Sequence, residues 1–320
     1  LDGTLYKLNS TVTIKFSGST IGTCAADATG AFSGCTVTIP AVASGVYQLT
    51  GTDGVNTSPN LAFTVPVPTL VRAPIQGPPG TVVTLTGANY ELSAAVALNF
   101  NGSGVGTCTT DAAGTLPAGC TFVVPSLAAG AYNVQTVDPA VNGNTVVFTI
   151  TTPTLVLAPN NGPADLAVTL TGNNYVPNST LTIKYDGVAT GTTCTATAAG
   201  AVPGGCVLTI PVSIPGVHTV TVVDASGNSA TANYTLNAPN LVRNPNNGAV
   251  GTTVTLTGNN YAASGVVTFG FENASGSGTY TNVGTCTGTA AGALPGACTI
   301  VVPLRAAGVY NIEATDAAGN

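Results

Sequence analysis

Eight cysteines are the residues of this 320-residue chain best suited to chemistry, and they come in pairs: Cys24 and Cys35, Cys108 and Cys120, Cys194 and Cys206, Cys286 and Cys298. A structural zinc takes four Cys or His ligands, whereas each pair stands alone with no histidine beside it. A dithiol redox motif is Cys-x-x-Cys, and these partners are eleven or twelve residues apart. The intervening sequence is turn chemistry, as in "ATAAGAVPGG" before Cys206. Such a loop returns the chain as a hairpin, so that two strand ends lie side by side with their Cβ atoms in disulfide range. Four local disulfides are therefore expected, with a shared metal or free thiols as the alternatives. Each closed loop contributes on the order of 3 kcal/mol by the chain-entropy model. That is a large part of the roughly 5–10 kcal/mol that holds a small domain together. Disulfides also place the chain outside a reducing cytosol.

The other candidates for chemistry are sparse. His218 is the only histidine, so any Ser-His-Asp or His-metal site rests on it. Its setting "GVHTV" aligns with "GVYQL" (45–49), "GAYNV" (130–134) and "GVYNI" (308–312), which puts it in a tyrosine position with a packing role. Asp53, Asp138, Asp224 and Asp316 each mark one turn, where a carboxylate bonds its own backbone. Calcium needs clustered oxygens, but Asp27 and Asp111 give way to Thr197 and Thr289 in the later copies. A calcium site elsewhere is the minor alternative. Arg72 and Arg243 share a position that is Leu157 in another copy, and read as charges on an edge strand. The glycine-rich "NGSGVG" (101–106) lacks the lysine and following helix of a phosphate loop. Six sequons, at Asn9, Asn56, Asn101, Asn178, Asn233 and Asn273, leave the surface open to glycosylation, in a number that an Asn-, Ser- and Thr-rich chain produces by chance. No cofactor site is expected.

The elements that carry these residues repeat. "PTLVLAPNNGPADLAVTLTGNNY" (153–175) recurs as "PTLVRAPIQGPPGTVVTLTGANY" (68–90) and "PNLVRNPNNGAVGTTVTLTGNNY" (239–261), and its tail as "LDGTLY" (1–6). Gly3, Gly87, Gly172 and Gly258 each precede a tyrosine by three residues: Tyr6, Tyr90, Tyr175 and Tyr261. The period is about 85 residues, lengthened in the last copy by an insertion near "ENASGSGTY" (272–280) that contains Tyr280. Within a copy, "STLTIKY", "HTVTVVD" and "TANYTL" alternate with period 2 and stop at Gly, Pro, Asn or Asp, which marks strands joined by turns. Short strands without helical periodicity predict an all-β chain of antiparallel sandwiches. The boundaries fall at 1–66, 67–152, 153–238 and 239–320. Links such as "FTVPVPTL" leave only two or three residues between copies and bear proline, so a linear rod is expected.

The opening Pro, the "P-x-x-G" turn, "TVTLTG-x-x-Y" and the closing "G-V-Y-x-V…D-x-x-G-N" resemble IPT/TIG-type and related bacterial and archaeal immunoglobulin-like repeats. The resemblance spans nearly the whole chain and implies Ig-like sandwiches in tandem on a cell-surface or secreted protein. The paired cysteines depart from that pattern.

Composition narrows the function. Only 6% of residues are charged and 44% are hydrophobic, with 40 Gly and 21 Pro; ordinary domains are about a quarter charged. A net charge of −6 with no basic patch argues against nucleic acid, and no apolar run reaches the roughly 18 residues of a membrane span. The first copy lacks a counterpart of residues 153–169 and the last lacks one of "SATANYTL" (229–236). Two expectations follow: strand complementation between copies joined head to tail, or a window cut out of phase from a longer array. The expected function is a non-enzymatic segment of an extracellular filament, pilus-like fibre or surface stalk, with itself as partner and lateral bundling or glycans on its surface. The alternatives are an adhesin shaft or glycan-binding module, and a spacer in a large secreted enzyme.

Overall fold

The computed structural model describes residues 1–317 and 319. Ala318 and Asn320, in the closing "TDAAGN" of the fourth repeat, lie outside the described residues. The chain is all-β, and each sheet stays within one repeat. It divides into two compact units, residues 1–125 with 130–150 and residues 126–129 with 151–320.

The third repeat, in the second unit, shows the complete plan. A three-stranded sheet orders Val156–Ala158, Ala167–Thr171 and Val207–Thr209. A five-stranded sheet orders Asn161–Gly162, Ser229–Leu236, Gly216–Val223, Thr180–Tyr185 and Val188–Thr195. All pairings are antiparallel except Asn161–Gly162 on Ser229–Leu236. The strands form because period-2 alternation buries one face of each. In Thr180–Tyr185, Leu181, Ile183 and Tyr185 turn inward while the two threonines and Lys184 face out. These residues meet Val168, Leu170, Leu208, Val220, Val222, Tyr234 and Leu236 in one core, an immunoglobulin-like sandwich.

The second repeat, in the first unit, has the same three- and five-stranded sheets. Phe100, Phe148, Ile150 and Leu98 fill its core. The first repeat forms one four-stranded sheet, Thr11–Phe16, Ser19–Ala25, Gly45–Thr52 and Leu61–Val65, plus an isolated bridge from Gly3 to Phe32. The fourth repeat has two three-stranded sheets among the described residues.

The repeated glycine before each tyrosine has a steric cause. A Cβ on Gly172 would stand 2.0 Å from the carbonyl oxygen of Thr154, and one on Gly258 2.1 Å from that of Asn240. Two residues on, the chain turns through a left-handed residue: Asn89, Asn174 and Asn260 at φ of 69°, 69° and 67°. The first repeat puts Leu5 there instead, at φ 66°. X-Pro bonds are cis at Ala73-Pro74, Ala158-Pro159 and Asn244-Pro245, the same place in three repeats.

Candidate functional site

The structure joins Cys24 to Cys35, Cys108 to Cys120, Cys194 to Cys206 and Cys286 to Cys298, with Cα separations of 5.8, 5.6, 5.8 and 5.7 Å. In the last three repeats their placement corrects the hairpin expectation. Cys108 ends an edge strand of the five-stranded sheet, whereas Cys120 precedes Thr121–Val123 of the three-stranded sheet. Cys194 and Cys206, and Cys286 and Cys298, also lie at two different sheets. Each of these bridges therefore ties one layer of a sandwich to the other. The second cysteine is further anchored through its carbonyl, which accepts from Leu85, Leu170 and Leu256 N–H groups. In the first repeat the Leu1 amino group donates to the Cys35 carbonyl in the same way.

The turn aspartates do more than close their own turns. Asp53, Asp138, Asp224 and Asp316 each accept the backbone N–H of the residue after the repeat tyrosine: Lys7, Glu91, Val176 and Ala262, at 2.6 to 2.9 Å. One carboxylate thus pins two turns that are about fifty residues apart. Hydrogen bonds from the Asn56 and Lys7 backbone hold the Asp53 carboxyl well below the usual carboxylate range. Among the described residues no three His, Cys, Asp or Glu side chains gather as metal ligands.

The asparagine that ends the turn in the second and third repeats reaches outward, a role that its turn-forming sequence concealed. Within the first unit, Asn142 Oδ1 accepts from the Ser44 backbone N–H and hydroxyl, while Nδ2 donates to the Val42 carbonyl at 2.9 Å. Within the second unit, Asn228 Oδ1 accepts from Ala129 N–H at 2.6 Å, and Nδ2 donates to the Leu127 carbonyl at 3.2 Å. Both asparagines are buried. The grip is the same: one amide reads a donor and an acceptor on the loop immediately before a Gly-x-aromatic strand.

Among the described residues His218 stands in a cluster with catalytic connectivity. Its Nδ1 lies 2.6 Å from Asp186 Oδ2, and its Nε2 lies 3.3 Å from Ser213 Oγ. Asp186 forms an Asp-Gly hairpin turn with Gly187, both at positive φ, and it also accepts from Thr219. The hydrogen bond from His218 and those from Thr219 pull the Asp186 carboxyl below its ordinary value. The geometry opposes nucleophile activation. His218 Nε2 is nearer the Ile214 carbonyl, at 2.9 Å, than Ser213. A ring nitrogen turned toward a carbonyl oxygen is not aimed at the serine hydroxyl that it would have to deprotonate. The ring stacks on Tyr185 with centroids 4.9 Å apart.

Arg72 and Arg243 pair with Leu85 and Leu256 in their sheets, with no acidic partner among the described ion pairs. "NGSGVG" forms a hairpin turn at Asn101 and Gly102 leading into Ser103–Thr109. The six sequon asparagines are all exposed. In the insertion, Glu272 is buried at 1% exposure and accepts from Gly278 and Asn311 N–H groups, which lower its carboxyl below the ordinary value. The fourth repeat also carries a groove of about 450 Å³ lined by Val254, Phe271, Val302, Tyr310 and Ile312, with Asn247 and Gly248 at its edge. Among the described residues no helix is long and apolar enough to cross a membrane.

No protein-family model matches the chain, and no curated protein matches it. Among solved structures it is similar to the tetra-tandem repeat in the extending region of a large adhesion protein, at 18% identity over 98% of this chain and 89% of that one, TM-score 0.26. It is similar to the Yersinia pseudotuberculosis adhesin InvE at 17% identity, over 53% of this chain and 59% of that one, TM-score 0.26. A Bacteroides ovatus protein of a mixed-linkage glucan utilization locus, solved with a mixed-linkage heptasaccharide, matches at 15% identity over 95% and 85%, TM-score 0.24. These likenesses are too distant to carry a ligand or an activity across.

Proposed function

We propose that this chain, with its repeats of IPT/TIG-like pattern, is a structural segment of an extracellular stalk or fibre and performs no catalysis. The observation that carries the reading is the recurrence of one mechanical plan. Each repeat has its own disulfide, and a turn asparagine grips a loop at residues 42–44 in the first unit and 127–129 in the second. Bridges that tie layer to layer resist peeling of a strand under load. The same bridges favour an oxidising compartment. His218, the one candidate for acid–base work, has its Nε2 nearer the Ile214 carbonyl than the Ser213 hydroxyl.

Negative-stain electron microscopy of the oxidised chain at rising concentration tests the proposal. Threads of sandwiches in line, lengthening by end-to-end addition, are the expected result. Compact, monodisperse particles at every concentration would overturn it.

A further inference from the structure

In the third repeat the corner loop at 211–215 is held differently from its counterparts. Asn142 and Asn228 clamp loops 42–44 and 127–129 by accepting from the Ser44 and Ala129 N–H groups. Pro215 stands at that place in "PVSIPG" and has no N–H to give to such a clamp. Ile214 beside it is 81% exposed. A hold on this loop comes from inside the repeat, through His218, where the first and fourth repeats use Tyr47 and Tyr310.

The ring of His218 lies between two oxygens that can only accept. Nδ1 is 2.6 Å from the Asp186 carboxylate, and Nε2 is 2.9 Å from the Ile214 carbonyl. The imidazolium has an N–H for each, whereas a neutral ring has one and leaves either Asp186 or Ile214 facing a lone pair. A tyrosine in this place keeps its donor at every pH below the phenol range. The phenols around the ring stay neutral: Tyr185 stacks on it and Tyr234 pairs with it across the adjoining strand, both raised by burial. Lys184 faces outward from its strand, and Asp165, whose N–H donates to the Ile210 carbonyl, is exposed. The bond from His218 holds the Asp186 carboxyl below its ordinary value, so this acceptor keeps its charge across the neutral range.

We propose that His218 is an acid-tightened latch: its imidazolium ties loop 211–215 to the Asp186–Gly187 turn, and loss of one proton unties the loop. With the proton gone, Nδ1 keeps its N–H on Asp186, and Nε2 accepts from the Ser213 hydroxyl at 3.3 Å instead of donating to Ile214. The proton leaves to solvent past Asp186, whose side chain is 47% exposed. The stability that the latch supplies is complete below the ordinary imidazole value of about 6.5. It is lost as pH rises through the titration of the ring in the folded chain. The latch is independent of the fibre reading.

Hydrogen exchange of the oxidised full chain at about pH 5.5 and about pH 8, corrected for the intrinsic pH dependence of exchange, tests the latch. One bond recurs just before the corner loop in three repeats: Val124 N–H donates to Thr81, Ile210 to Leu166 and Val302 to Thr252. Ile210 is expected to lose at least about tenfold in protection at the higher pH, the worth of a bond to a charged group, while Val124 and Val302 hold theirs. His218 is the only histidine, so one imidazole carbon signal follows its charge by NMR across the same range. His218→Tyr should flatten the Ile210 profile. Asp186→Asn should flatten it too, because a carboxamide can donate to the neutral ring and leave Nε2 its N–H for Ile214. Equal protection of Ile210 at both pH values, a loss shared by all three amides, or a loss that persists in Asp186→Asn would overturn the proposal. The first two outcomes need no variant, so the test survives a substitution that fails to fold.

Discussion

His218 Nε2 and the Ile214 carbonyl oxygen stand 2.9 Å apart, and the bond repeats what tyrosines do elsewhere in the chain. Tyr47 donates to Ala43 at 2.7 Å and Tyr310 to Ala306 at 2.9 Å, each four residues back. The histidine therefore serves as the corner donor of its repeat. His218→Tyr is expected to keep the corner bond and lose only the contact to Asp186, so it should cost less than His218→Ala, which should cost about 2 kcal/mol by removing a buried hydrogen-bonding group and its stacking. Urea titrations of the two variants check this. A p-nitrophenyl ester should be cleaved no faster by the wild type than by Ser213→Ala.

Leu5 occupies the left-handed position that Asn89, Asn174 and Asn260 hold in the other repeats, and its side chain is 87% exposed. A branched aliphatic there bears a steric penalty of roughly 1–2 kcal/mol, and asparagine relieves part of it by local hydrogen bonding. Nothing is lost in packing, because the leucine packs against little. Leu5→Asn is expected to stabilise the first repeat by about 1 kcal/mol, measured by the shift of its unfolding midpoint. A destabilised variant would show that Leu5 is covered in the folded chain.

Asn142 is buried, and its amide is satisfied on both sides by residues 42–44. Asn142→Ala leaves the Val42 carbonyl and the Ser44 amide without their partner, at a cost of about 1–3 kcal/mol. The loss should be local. Amide exchange at Ser44 is expected to accelerate, while exchange at Leu85, bonded to the Cys120 carbonyl, stays slow. Asn142→Asp tests the same grip differently, since it keeps the acceptor and removes the donor to Val42. If Ser44 exchanges at the wild-type rate in both variants, the grip contributes nothing.

What the sequence made legible was whatever repeats or alternates. Period-2 burial in "TLTIKY" and the spacing from Gly172 to Tyr175 to Asp224 foretold the sandwich, because each mark records a local constraint. The cysteines were legible as pairs but not as cross-sheet ties, because a loop of twelve residues closes equally well within a hairpin or across two layers. Asp186 was missed as a partner of His218. It lies 32 residues away in the chain, and its "DG" context signals only a turn. The outward grip of Asn142 and Asn228 was hidden for the same reason: in "D-x-x-x-N" the asparagine reads as turn chemistry, and its second role depends on a loop about a hundred residues earlier.

The buried tyrosines set an alkaline limit. Tyr234 and Tyr261 are 0% and 1% exposed, and burial pushes both phenols from 10.0 up to about 12. The neutral phenol is the form the fold accepts, so the unfolded chain ionises first. Their contribution to stability is therefore complete below pH 10 and is lost progressively as pH rises through 12. The denaturation midpoint is expected to hold steady to about pH 10 and then fall. Tyr234→Phe removes one ionising group, together with a 3.2 Å bond to the Pro163 carbonyl. That variant should start slightly less stable at neutral pH and lose less between pH 10 and 12. A parallel decline of wild type and variant across that window would assign the alkaline transition to other groups.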